Sequence, residues 1–173
     1  YLKPYLGKPS VQINRRHFEG EDYTSIDFIE QWASYIDQEL SKPVEVDLKV
    51  TKSYNANTRK LDLDITGTSL ITEQGNFKIT VYLTESNIID PQLNSTEIIE
   101  EYEHMHVLRD MMTKATGDDF ASNIVKGNNY NKQYSYTIPS EFIAENMEVV
   151  VMVSRDKTDD KSVLQAQAIK VTE

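Results

Sequence analysis

The hydrophobic period of the chain changes at Pro43, and no other feature limits its fold so strongly. Beyond that proline, Val44, Val46, Leu48 and Val50 alternate with Glu45, Asp47 and Lys49, and Leu61, Leu63 and Ile65 alternate with Lys60, Asp62 and Asp64. Phe77, Ile79, Val81 and Leu83 repeat the pattern against Lys78, Thr80, Tyr82 and Thr84. A period of two places successive side chains on opposite faces of a strand, so each of these segments presents one apolar face to a core. The turn-forming stretches 53–58 and 72–76 between them predict a meander.

Further strands are expected at 103–112, 133–139, 147–155 and 163–172, with a polar excursion over 113–132. The expectation is a mainly β fold, an antiparallel immunoglobulin-like β-sandwich of about seven strands over residues 43–173. Val149-Val150-Val151-Met152-Val153 is apolar on both faces, as a central strand covered on both sides would be. In the last strand the apolar phase slips from Leu164, Ala166 and Ala168 to Ile169 and Val171, which predicts a β-bulge.

Residues 1–42 follow another pattern. Ser10–Asn14 forms a short strand candidate after Gly7-Lys8-Pro9, and the polar stretch up to Asp22 offers it no partner strand. A helix is expected over 24–42, capped by Thr24 or Ser25, with Phe28, Ile29, Trp32, Ile36 and Leu40 at helical spacing and Pro43 as its stop. One strand and one helix cannot cover each other's apolar surfaces as a domain. With Tyr1 in place of a starting Met, the expectation is a C-terminal fragment that retains the end of an α/β domain. The apolar face of its helix is expected against the sandwich, where it could cover the outer face of the Val149–Val153 strand, or against the upstream part of that α/β domain.

Charge excludes several functions. The net charge of -10 is made up of -2 over residues 1–42 (five basic, seven acidic) and -8 over residues 43–173 (thirteen basic, 21 acidic). The adjacent basic pairs are Arg15–Arg16 and Arg59–Lys60, too few for a phosphate-binding face, so no nucleic-acid partner is expected. With no Cys in the chain, disulfides, thiolate chemistry and Cys-ligated metals are excluded within it. No apolar run approaches the ~18 residues of a membrane-spanning helix.

Tyr102-Glu103-His104-Met105-His106-Val107-Leu108-Arg109 is the most distinctive stretch for chemistry. On a regular strand His104 and His106 share a face and could share a metal ion, with His17 or one of Glu97, Glu100, Glu101 and Glu103 as a further ligand. The spacing designates none of these, so the two histidines are candidates only and no metal or other cofactor is assigned. Arg109 should lie on the opposite face, where it could hold a carboxylate ligand or pair with a local acid. The tip Asp156–Lys161 lacks the alternating acids, the Gly and the closing Glu of a calcium loop. Asp118–Asp119 carries no glycosidase signature, and Tyr130, Tyr134 and Tyr136 could form a binding face or simply pack. Asn94-Ser95-Thr96 fits an N-glycosylation acceptor, which matters only in a eukaryotic secretory setting. Neither a nucleophile elbow, a P-loop nor a dinucleotide fingerprint occurs, so no catalytic residue and no enzymatic activity are assigned.

Three stretches together resemble the twenty-eight-kilodalton outer-membrane protein family of Bacteroidetes: Gly7–Arg15, Tyr102–Arg109, and Val149-Val150-Val151 followed by Val163-Leu164-Gln165-Ala166. The middle one resembles the family pattern Tyr-x-His-x-His-Val-Leu-Arg and is the most specific. The resemblance implies a thioredoxin-like domain followed by an immunoglobulin-like β domain, exported to the outer membrane or cell surface of a Gram-negative bacterium, often as a lipoprotein. Residues 1–42 would then be the end of the thioredoxin-like domain, with Pro9 resembling its cis-proline and Thr24–Lys42 its closing helix. The expected function is a non-catalytic binding or scaffolding module for a glycan or protein ligand. The alternative is an envelope thiol-redox protein with its Cys pair upstream of Tyr1.

Overall fold

A computed structural model describes residues 10–94 and 96–172. The expected Gly7–Pro9 strand start, the cis-proline at Pro9 and the Asn94-Ser95-Thr96 triplet as a whole fall outside those residues.

Two sheets pack face to face. The first joins β1 (Val46–Asn55), β2 (Lys60–Ser69) and, through a later strand, β8 (Asn129–Thr137), in the order β1-β2-β8. The second is centred on β3 (Glu73–Glu85), which pairs along its length with β9 (Met147–Arg155), and β9 pairs with β10 (Val163–Lys170). The opposite edge of β3 is shared. β6 (Val107–Met111) pairs with its C-terminal part and β7 (Asp118–Ile124) with its N-terminal part. All these pairings are antiparallel, and the order matches an immunoglobulin-like sandwich, with β1-β2-β8 as strands A, B and E and β10-β9-β3-β6 as G, F, C and C′.

The core follows directly from the alternation. Leu61, Leu63 and Ile65 of β2 meet Phe77, Ile79, Val81 and Leu83 of β3 and Val149, Val151 and Val153 of β9, all essentially without solvent contact. Burying one such aliphatic side chain contributes about 1.5–3 kcal/mol. The β1–β2 turn forms as the sequence requires, with Asn55 Oδ1 accepting from the amides of Asn57 and Thr58 and Arg59 taking a φ of 53°. The expected bulge in the last strand is present as a register shift between Val163 and Gln165.

The meander is corrected. Residues 70–72 carry the chain from one sheet to the other, so β2 and β3 face each other across the core and do not pair. Among the described residues the strand count also rises from about seven to ten. The excursion over 113–132 contains β7, and the expected strand at 103–112 is broken into β5 (Glu97–His104) and β6. With β4 (Ile88–Asn94), β5 forms a separate two-stranded hairpin inserted between the C and C′ positions.

The N-terminal segment differs from its expectation in three respects. The helix α1 runs Ile29–Leu40 and starts after Phe28 without a side-chain cap, because Ile26 is drawn into an antiparallel bridge with Val11. That bridge supplies Val11 with a partner from within the span expected to be helical. Second, α1 does not dock on β9. Trp32 and Tyr35 pack on a small separate cluster of Ile13, Phe18 and Ile26, while Phe28, Ile29, Ile36 and Leu40 remain exposed. Third, the attachment to the sandwich is polar: the Val163 amide donates to the Asn14 carbonyl at 2.9 Å, and Arg16 reaches Glu45 at 3.9 Å. Among the described residues no helix is long and apolar enough to cross a membrane.

Candidate functional site

Among the described residues no helix packs over the outer face of the five-stranded sheet. Strand β9 is apolar on both faces and β3 on its inward face, and the inward sets are used by the core. The outward set is Thr80, Tyr82 and Thr84 on β3, with Glu148, Val150 and Met152 on β9. Register stacks them in direct pairs: Thr80 with Met152, Tyr82 with Val150 and Thr84 with Glu148. Tyr82 also pairs with Met111, Thr84 with Leu108, and Val150 with Ala168, so the floor continues across four strands.

These side chains line a concavity of about 510 Å³ with a largely apolar floor and a charged rim. On the rim, His106 Nδ1 lies 3.3 Å and Lys170 Nζ 3.5 Å from the two oxygens of Glu148. Arg15 approaches from the N-terminal segment. Burial pushes the Tyr82 phenol above its ordinary range, and the Arg15 charge opposes the shift. Such a surface offers an aromatic and aliphatic floor for stacking and a few charged groups for orientation, the usual composition of a ligand site.

The two histidines are separated. His104 lies on β5 with its ring edge-on to Tyr102 at 4.8 Å and Nε2 3.2 Å from the Asp90 carbonyl oxygen. His106 has a φ of 54°, which breaks the strand alternation that would have kept both rings on one face, and it sits on the rim of the sheet groove. Among the described residues no three His, Asp or Glu side chains converge as metal ligands.

Arg109 belongs to a structural clamp. Its Nε lies 3.1 Å from Oε2 of the buried Glu85, an ion pair whose N–H direction misses the carboxylate, and its guanidinium stacks 4.1 Å over Phe142. Glu85 Oε1 also accepts from the Ile143 amide. The three tyrosines of β8 point into the sandwich and pack against its core. Tyr134 donates to Asp118, and Tyr136 donates to Asp110 at 2.5 Å. Burial, reinforced by these carboxylates, lifts the Tyr134 phenol well above its normal range and the Tyr136 phenol to about 12. Asp119 is held by Lys78 at 2.6 Å, so Asp118 and Asp119 serve separate contacts. In the 156–161 tip, Lys161 pairs with Asp156, and Lys157 reaches Glu73.

The groove residues Tyr82, Val150 and Met152 were not candidates from sequence. Their signal was present in the run Val149–Val153, whose outward members needed a cover that α1 does not supply.

The description of the family that matches residues 5–173 is outer membrane protein Omp28. The chain belongs to the Omp28 family. Its location is therefore the outer membrane or cell surface. Among solved structures this Omp28 chain is similar to HBP35 of Porphyromonas gingivalis, with a TM-score of 0.76 at 16% identity over 96% of this chain and 53% of that one. It spans about half the length of that protein, and the likeness is one of fold. A domain of the outer membrane lipoprotein Omp28 from Porphyromonas gingivalis aligns with 75% of this chain and 89% of its own at 19% identity, with a TM-score of 0.49. No curated protein matches the chain.

Proposed function

We propose that this Omp28 chain is a non-catalytic binding or scaffolding module at the bacterial surface, and that the outer face of its five-stranded sheet receives the ligand. The carrying observation is the groove over Tyr82, Val150 and Met152, an apolar floor on a sheet whose other face already forms a complete core. Concave, largely apolar sites with a few charged groups at the rim are the usual form of a ligand site. The ligand class is a glycan, through stacking on Tyr82, or a protein segment, through the aliphatic floor. An array of glycans and extracellular-matrix proteins probed with the full-length protein tests the reading, and a uniformly blank array would remove it.

A second reading, an envelope thiol-redox protein, is supported by the N-terminal order of the Val11–Ile26 bridge and α1. An antiparallel pair followed by a helix fits the closing elements of a thioredoxin-like domain, and the exposed Phe28, Ile29 and Ile36 would then face the rest of that domain. The test is the gene upstream of Tyr1 together with insulin reduction by its full product. Absence of a Cys-x-x-Cys pair there would end the idea.

A further inference from the structure

The β4–β5 hairpin is unlike the rest of the molecule. It prolongs the β3–β6 pair but is set off from it at a joint where Asn87 and His106 both have positive φ, 59° and 54°, and the His106 amide donates to Ser86 Oγ at 3.1 Å. Beyond the joint β4 and β5 pair only with each other, and among the described residues no other element packs along them. A lone two-stranded hairpin is at best marginally stable in water. This one nevertheless exposes Ile89, Leu93, Ile98, Ile99 and Tyr102, each between 38% and 62% accessible.

Its charge is one-sided. Between Ile88 and His104 stand Asp90, Glu97, Glu100, Glu101 and Glu103, with no Lys or Arg. The two edges also differ. β4 lacks an N–H at Pro91, whereas every residue of β5 has one, and β5 carries four of the five carboxylates.

We propose that this arm binds an extended basic and apolar segment of another polypeptide, which adds as a third strand along β5. Strand addition would satisfy the open backbone edge and cover the aliphatic side chains, while alternating Lys or Arg would meet the glutamates. The same charges argue against other occupants. Two β5 edges brought together would set glutamate against glutamate, and an anionic lipid surface would repel the arm. The inference stands independently of the sheet groove.

The probe is a fluorescein-labelled peptide of about eight alternating Lys and Val residues, a normal strand length. Its binding to the full-length protein is read by anisotropy. Binding that weakens roughly tenfold or more in Glu101→Lys/Glu103→Lys and in Leu93→Ser/Ile98→Ser, but not in Asp47→Lys on β1, is the expected result. All of these positions are exposed and outside both apolar clusters, and an unchanged thermal unfolding transition in each variant verifies the fold. The proposal is overturned by no binding, by equal binding to wild type and arm variants, or by a comparable loss in Asp47→Lys. It is also overturned if sedimentation shows self-association abolished by Leu93→Ser/Ile98→Ser, or if phosphatidylglycerol vesicles bind through the arm.

Discussion

Tyr82 on β3 and Val150 on β9 are direct cross-strand partners on the outward face of a sheet whose inward face is wholly buried. Sandwich strands normally alternate apolar with polar, so one face suffices for the core. Here the outward face also carries Tyr82, Val150 and Met152, and among the described residues no helix packs over them. That surplus is the physical basis for assigning a binding role to the sheet.

The acid limb of stability is set at the opposite end of the sandwich. Arg155, only 7% accessible, donates to Glu73 at 2.7 and 2.9 Å, to Glu45 at 2.9 Å and to Ser162 at 3.1 Å. The hydrogen bonds from Arg155 are the main cause that lowers the Glu73 carboxyl from 4.5 to about 2, against the opposing effect of burial. A carboxyl with a depressed folded-state pKa stabilises the fold above its unfolded value and loses that contribution as pH falls through the folded one. Unfolding free energy is expected to drop by up to about 3 kcal/mol between roughly pH 5 and 2 from this group. Urea titrations across that range check it, and Glu73→Gln should flatten that part of the profile.

Gly117, at the entrance to β7, has a φ of +79°, and a Cβ there would stand 2.9 Å from the Ile79 carbonyl oxygen. Both the dihedral and the backbone contact oppose any side chain. Gly117→Ala is expected to cost about 1–3 kcal/mol, read as a lower urea midpoint with unchanged slope.

Separate apolar clusters predict separable stability. The Ile13, Phe18 and Ile26 cluster shares no residue with the sandwich core. Residues 43–173 alone should unfold cooperatively, with a loss of about 1 kcal/mol for the freed Val163 amide, less than the roughly 2–5 kcal/mol expected of Leu83→Ala in the core. Calorimetry of the two proteins makes the comparison, and loss of cooperativity on truncation would show that the N-terminal segment is integral to the sandwich.

Sequence reasoning succeeded where one physical signal dominated. Strand β9 was expected at its observed bounds, and the alternating faces of β2 and β3 and the bulge in β10 were legible because burial imposes a strict period of two. It failed where no such signal existed. The arm places Ile88 beside Ile89 and Ile98 beside Ile99, a pattern without alternation, since neither face is buried. The break at His106 depends on a positive φ that histidine does not advertise, and α1 begins late because Ile26 is held by a strand-like contact. The groove was half visible. Val149–Val153 announced a second apolar face, but whether anything covered it was a question of tertiary packing.

The central claim is tested most directly by the ligand array repeated with Tyr82→Ala and with Met152→Glu, substitutions on the outward face that leave the core untouched. Ligand signals weakened roughly tenfold or more in both variants, with thermal unfolding preserved, are the predicted result. Signals equal to wild type would contradict the assignment of the sheet face as the binding surface.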